Sequence, residues 1–270
     1  RPFVTTFHGA YNSNNFLKYY YNSIMTRGTR VIAISTFIAG HMRRMYGVPL
    51  ERIRIVPRGV DTFRFDQAQV SAERVIRLAQ EWRLDDGMPV VMLPGRLTRW
   101  KGHEVFIDAI AHLGRRDVRF LIVGSDQGRK GYRHELGSLV ERNGLGDVVR
   151  IVDHCDDMPA AYMLSDVVVS ASTDPEAFGR VIVEAQALGR PVVASGHGGA
   201  TESIIEGKTG WLVPPGQATP LAETISRILA MGADERASLS RAAISNVNQN
   251  FSKQVMCDSV LDIYNEVLNE

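Results

Sequence analysis

Three cations crowd the short stretch Gly95-Arg96-Leu97-Thr98-Arg99-Trp100-Lys101-Gly102, which directly follows an apolar run and directly precedes a helical pattern. Open α/β sheets bind ligands beyond the carboxyl ends of their strands, so residues in that position have first claim on chemistry. Gly95 lets backbone approach a ligand, Arg96 offers a planar fork, and Lys101 supplies a point charge; together they suit phosphate oxygens. A second group, Glu176-Ala177-Phe178-Gly179-Arg180, follows another apolar run, and Glu184 stands eight residues beyond Glu176. Glu184 interrupts the nearly continuous apolar stretch 181–188, where a carboxylate turned to the core is costly without a partner. Hydroxyls of a ribose would supply one. Glu176 lies just before a helix, where it could accept hydrogen bonds from sugar hydroxyls beside N–H groups suited to a diphosphate. His8-Gly9 closes the first apolar run and so points into any cleft there. A solvated basic loop, a helix-start carboxylate, an exposed Glu184 and a hydrogen-bonded loop histidine are the plain readings of the same residues.

These residues need strands and helices to position them. Apolar, β-branched runs at 3–7, 31–34, 53–56, 90–93, 118–123, 148–152, 166–170, 191–194 and 211–213 read as strands. Helical patterns lie between them at 14–25, 36–46, 71–82, 102–113, 132–142, 159–164, 178–188 and 201–206, and the tail from about 221 to 270 reads as helical throughout. Short strands alternating with helices predict an α/β protein with doubly wound parallel sheets. Arg58-Gly59-Val60-Asp61 breaks the alternation and places a boundary near 57–65. Residues 1–62 then form the closing part of one Rossmann-like domain, incomplete in this chain. Residues 63–250 form a second such domain, and 251–270 a helix packing back toward the first.

Composition narrows the function further. At 270 residues, with 44% hydrophobic and 23% charged residues, the chain can bury a sizeable core, and no apolar run is long enough to cross a bilayer. Cys155 and Cys257 stand far apart without a CxxC pattern, so neither a disulfide framework nor a zinc site is indicated, and a reducing cytoplasm fits best. The net charge of +1 hides an asymmetry, because residues 1–64 hold ten Lys or Arg against Glu51 and Asp61. This basic front, with Phe16-Leu17-Lys18-Tyr19-Tyr20-Tyr21, suits an anionic membrane surface or a phosphorylated acceptor. It is not organised as a nucleic-acid module. Neither Gly196-His197-Gly198-Gly199 nor Gly124-Ser125-Asp126-Gln127-Gly128 is a dinucleotide fingerprint, although the former could let amides approach a phosphate or sugar. Asp85-Asp86 and Asp156-Asp157 lack the residue between that an Asp-x-Asp metal motif requires, so no metal site is expected.

The order of motifs resembles family 4 of the retaining glycosyltransferases. The resemblance runs from His8 through Val31-Ile32-Ala33-Ile34-Ser35, Ile55-Val56-Pro57-Arg58-Gly59-Val60-Asp61, Gly95-Arg96 with Lys101-Gly102, and Glu176 with Glu184, to Gly207-Lys208-Thr209-Gly210-Trp211-Leu212-Val213-Pro214-Pro215. It implies a GT-B fold and metal-independent transfer of a hexose from a UDP- or GDP-linked donor, without a resident cofactor. A membrane glycolipid or an oligosaccharide of a surface polysaccharide would be the acceptor. By the same resemblance His8, Arg96, Lys101 and Glu176 act at the reacting centre, and Gly95, Ala177, Phe178, Gly179, Arg180 and Glu184 complete the donor site. Asp153-His154-Cys155 looks like the loop that reads the nucleobase. The implied location is the cytoplasm, peripheral to the inner face of the membrane. Sugar-nucleotide epimerases, glycoside phosphorylases and a non-catalytic nucleotide-sugar scaffold share the architecture; the spacing of Glu176 and Glu184 favours transfer. Arg58 stands where the family usually has Asn, a change of little weight in a linker. The family's N-terminal glycine-rich loop is not in this sequence.

Overall fold

The computed structural model describes residues 2–11, 15–84, 86–128 and 130–269. Its strands assemble into two wholly parallel sheets. In the first, β1 (Val4–Phe7), β2 (Arg30–Ala33) and β3 (Ile53–Ile55) lie in sequential order. In the second, the order is β6-β5-β4-β7-β8-β9, with β4 (Val90–Pro94), β5 (Arg119–Val123), β6 (Val149–Val152), β7 (Val167–Ser170), β8 (Val192–Ser195) and β9 (Trp211–Val213). The chain leaves β4 toward one edge and returns through β7 toward the other, so the strand order reverses between β4 and β7. Doubly wound sheets open their ligand crevice at such a reversal.

The near-continuous apolar runs that signalled these strands are what burial on both faces demands. Along β4, Val91 and Leu93 pack with Phe106, Ile107 and Ile225 on one face, while Val90 and Met92 join the apolar cluster on the other. That second cluster continues without a break into Phe7, Val31, Ile38 and Met42 of the first unit, so the two sheets share a core.

Helices connect the strands. In the first unit, α1 (Phe16–Ser23) is capped by the Asn15 side chain, and α2 (Thr36–Tyr46) by Ser35. Asn14, expected inside the first helix, and Asp85 lie outside the described residues. In the second unit α3 (Ala72–Glu81), α4 (His103–Leu113), α5 (Lys130–Arg142), α6 (Met158–Leu164) and α7 (Arg180–Ala187) follow. The α7 helix begins two residues later than the sequence suggests, because Gly179 takes a left-handed conformation (φ 88°) that cannot continue into a helix. The stretch 201–206 yields only one turn, α8 (Ala200–Ser203), before Glu206 bridges to Gly210.

The tail is helical as expected and falls into three helices, α9 (Ala218–Leu229), α10 (Ala233–Asn250) and α11 (Lys253–Leu268). Its second break is imposed by pairing with a distant segment, where Val60 donates to the Phe251 carbonyl and Lys253 to that of Val60, both at 2.8 Å. There is no room for a side chain on Gly59 here, since a Cβ would stand 2.6 Å from Lys253 Cα. The two strands of chain passing between the units therefore cross in contact. From that crossing α11 runs back along the first sheet, where Ile263 packs on Ile32 and Val56.

Glu266 locks α11 in place, accepting at 2.9 Å from Arg30 Nε and at 2.9 Å from Arg54 Nε. Those hydrogen bonds and the two positive charges hold its carboxyl down at about 2. A carboxyl lowered by folding stabilises the native state above its unfolded pKa and loses that contribution as pH falls toward the folded one. Glu266→Gln should therefore melt below wild type at pH 7, with the gap narrowing as the pH is lowered from about 4.5 toward 2; a gap independent of pH would show that the ion pairs do not hold the helix.

Candidate active site

At the strand-order reversal, the loop after β4 meets the loop after β7. Gly102 turns the first loop into α4 with φ 72°, and a Cβ there would stand 1.8 Å from the carbonyl oxygen of Ala171, so only glycine permits this approach. The contact brings Lys101 Nζ to 2.7 Å from Glu176 Oε1. Both side chains retain 12% of their exposure. Ser172 donates to the same oxygen at 2.5 Å and Ser170 at 3.3 Å. Burial alone would push the Glu176 carboxyl up; the Lys101 charge and these hydrogen bonds outweigh it and hold the group ionised, below the usual carboxylate range. Glu176 Oε2 takes no part in these bonds.

Eight residues on, Glu184 is also largely buried. Its expected partner was a ribose, yet the protein supplies its own: Tyr162 Oη donates to Oε2 at 2.9 Å and Arg180 Nη2 to Oε1 at 3.0 Å. Burial, then the Glu184 charge, push the Tyr162 hydroxyl far above its ordinary pKa, so it remains a donor. A carboxylate has about four acceptor sites, and with a third bond from Arg180 Nε at 3.3 Å Glu184 is still able to accept another.

The glycines at 198 and 199 admit close protein backbone. Gly199 N donates to the Glu176 carbonyl at 2.8 Å, and a Cβ on Gly198 would lie 2.5 Å from the same oxygen. Behind that loop, Ser35 Oγ donates to the Ala177 carbonyl at 2.6 Å, and Glu202 accepts from the first N–H groups of α2, at 2.7 Å from Thr36 and 2.9 Å from Phe37. The loop carrying Glu176 is thus held from both units.

One cavity of about 850 Å³ collects His8, Gly95, Arg96, Lys101, Glu176, Ala177, Phe178, Gly179, Arg180 and Glu184, together with Ile34, Arg58, Trp100 and Val181. That volume falls within the range of small-molecule sites. Among the described residues the Arg96 guanidinium has no ion pair or hydrogen bond of its own, whereas Lys101 and Arg180 each face a carboxylate. Burial and then the Arg58 charge lower the His8 pKa, so the ring is neutral at pH 7.

One expectation needs correction. Arg58 is no bystander in a linker: it lines this cavity, with Nη1 at 3.4 Å from His8 Nδ1. Asp153 and His154, expected at the nucleobase, are placed apart from the diphosphate-side residues. They line a separate cavity of about 600 Å³ with Arg74, Arg77 and Arg83. There Asp153 accepts from Arg133 at 2.6 Å and His154 lies 3.1 Å from Asp156. Tyr162, Ser170 and Ser172 were missed. The two serines had a readable signal, a spacing of two at the end of an apolar strand, which turns both to one side. Tyr162 had none, because only tertiary packing brings it to Glu184.

Two facing parallel α/β units with a cationic cleft at the strand-order reversal define the class of GT-B glycosyltransferases. The chain belongs to the glycosyl transferases group 1, whose family model matches residues 76–246, while a model of glycosyltransferase family 4 matches residues 1–64. It is similar to a glycosyltransferase structure from Rickettsia africae (36% identity, TM-score 0.92, covering 98% of this chain and 70% of that one). The Anabaena protein Alr3699/HepE in complex with UDP and glucose is 28% identical, with TM-score 0.87 and coverage of 98% and 72%. Among curated relatives, the Escherichia coli K12 protein WcaL, named for colanic acid biosynthesis, is 30% identical over 94% of this chain and 61% of its own length. A D-inositol 3-phosphate glycosyltransferase of Salinispora tropica is 32% identical over 92% of this chain and 53% of its own. The chain thus spans about three fifths of the length of the first of these curated relatives and about half of the second.

Removing one member of a buried ion pair costs more than removing both, because it strands an uncompensated charge. Lys101→Met should lower the unfolding free energy by about 3 kcal/mol, and Lys101→Met with Glu176→Gln should recover part of that loss. Urea denaturation of the two variants checks it; a double variant less stable than Lys101→Met would show that the pair is not coupled.

Proposed function

We propose that the polypeptide containing this chain transfers a hexose from a nucleotide-diphosphate sugar to an acceptor hydroxyl with retention of configuration, and that residues 63–250 carry the donor. The observation that carries the reading is the convergence of Arg96, Lys101 and the start of α7 on the cavity that also holds His8, Glu176 and Glu184. As the bond between sugar and diphosphate breaks, negative charge grows on the phosphate oxygens. Cations and N–H groups fixed in place before the reaction stabilise that charge without reorganising. Arg96, with its guanidinium uncommitted, binds the diphosphate directly. Lys101 shares its charge between the diphosphate and Glu176, and the unpaired N–H groups at the start of α7 add a partial positive charge.

Glu176, ionised and with Oε2 uncommitted, accepts from hydroxyls of the donor sugar and orients the ring. Glu184 keeps acceptor capacity for ribose hydroxyls while Tyr162 and Arg180 fix its position. Neutral His8 stands on the opposite wall, where the acceptor hydroxyl arrives. The leaving phosphate oxygen takes the proton that the acceptor hydroxyl loses as its oxygen bonds to the sugar carbon. With the diphosphate charge met by protein groups, no divalent metal and no resident cofactor are needed.

Uridine is the base the reading favours, supported by the UDP named with Alr3699/HepE. A membrane glycolipid or a surface polysaccharide precursor is the proposed acceptor, in keeping with the polysaccharide named for WcaL. Among the described residues no helix is long and apolar enough to cross a membrane. We place the enzyme in the cytoplasm, touching the anionic membrane face through α1, which exposes Phe16, Leu17, Tyr20 and Tyr21 beside Lys18.

UDP at one hundred times its dissociation constant should stabilise this chain by about 2.7 kcal/mol in a thermal melt, and Arg96→Ala should reduce the effect. A melting point unmoved by any nucleotide or nucleotide sugar would sink the donor-site reading. Turnover by the full polypeptide should survive excess EDTA; its loss, restored by magnesium, would overturn metal independence.

A further inference from the structure

Arg58 is rigidly delivered to the cleft. Its neighbour Val56 donates to the Ala33 carbonyl at 2.9 Å, and Gly59 and Val60 are clamped against the backbone around Ser252 and Lys253. The backbone is therefore held on both sides, by the first sheet before Arg58 and by the crossing of the two chain segments after it. It lines the cavity on the His8 side, on the wall built by the first sheet and across from Arg96 and Lys101.

The charges around it are unequal. Lys101 and Arg180 are each paired with a buried carboxylate, Glu176 and Glu184. Arg96 stands at the end of β4, on the donor side. Arg58 makes no ion pair with any carboxylate among the described residues; its hydrogen-bond contact is the His8 ring. Because that contact occupies Nδ1, the neutral His8 ring carries its proton on Nε2, and the remaining N–H groups of the Arg58 fork stay unspent. An arginine held in a cleft without a counter-charge is built for planar recognition of a carboxylate or phosphate.

We propose that Arg58 is a specificity-determining residue that receives an anionic group, phosphate or carboxylate, on the acceptor, close to the hydroxyl that faces His8. This rests on the donor-site reading above, which assigns Arg96 and Lys101 to the diphosphate and leaves the His8 wall to the acceptor. The acceptor is then a sugar or polyol bearing a phosphate or a uronic carboxylate near the reacting hydroxyl. Arg58 and His8 together select it: the guanidinium by charge, the Nε2–H by hydrogen bonding.

Calorimetry on the UDP-saturated chain tests this with matched probes, glucose against glucose 6-phosphate and methyl glucoside against glucuronate, in wild type, Arg58→Gln and Arg58→Lys. Wild type should bind the anionic member of each pair at least tenfold more tightly. Arg58→Gln should abolish that ratio, Arg58→Lys should keep part of it, and raising salt should shrink it. No preference in wild type, or a preference unchanged in Arg58→Gln, overturns the proposal. A tenfold loss of UDP affinity in Arg58→Gln also overturns it, by assigning the residue to the donor's phosphates. Failure of UDP to bind wild type is a different result, which removes the donor-site reading itself.

Discussion

The buried contact between Lys101 and Glu176 sets the terms for most of what surrounds it. A carboxylate and an ammonium at 2.7 Å, each largely withdrawn from water, are tolerable only if the remaining lone pairs are met and the geometry does not drift. Ser170 and Ser172 add hydrogen bonds to the Oε1 that Lys101 holds, and Oε2 is left for a substrate. Geometry is fixed by backbone: Gly102 permits the loop after β4 to touch the loop after β7, and the glycines at 198 and 199 let a third loop pack beneath Glu176. Each of these loops follows a strand of the same sheet, so the reversal of strand order between β4 and β7 is what brings opposite charges to one point. A sheet wound in one direction only would have separated them.

That point becomes a cleft because a second unit faces it. The shared apolar core, the crossing at Val60 and Ser252, and α11 laid along the first sheet fix how the two units meet. Ser35 and Glu202 reach between the units and end at the loop that carries Glu176 and at the start of α2. Position of the cations on one wall and of His8 on the other therefore depends on contacts far from either. The cleft mixes charged side chains with Ile34, Trp100, Phe178 and Val181, so its uncommitted charge sits on a partly apolar surface.

Membership in the group 1 glycosyl transferases accounts for the shape of the cleft and not for all its contents. Arg58 and its contact with His8 also line the cleft, on residues that follow strands of the first sheet. A second charged cavity lies next to the edge strand β6, where Arg74 pairs with Asp157 and Arg133 with Asp153 beside Arg77, Arg83 and Arg150.

Fold class and most of the site were legible in the residues themselves. Strands buried on both faces must be apolar along their length, glycine is required wherever backbone meets backbone, and a carboxylate inside an apolar helix advertises a partner. These are local demands, written at the position where they act. Who the partner is was not local: Glu184 finds Tyr162 from α6, Glu176 finds Lys101 and two serines, and His8 finds Arg58 fifty residues on. The contact of Arg58 with His8 in the cleft has the same origin, since it depends on segments remote in the chain. Sequence alone determined which residues had chemistry to offer, because that follows from side-chain type and strand-end position. Tertiary structure decided which of those charges are already spent and which remain for a substrate, because pairing depends on distance in space.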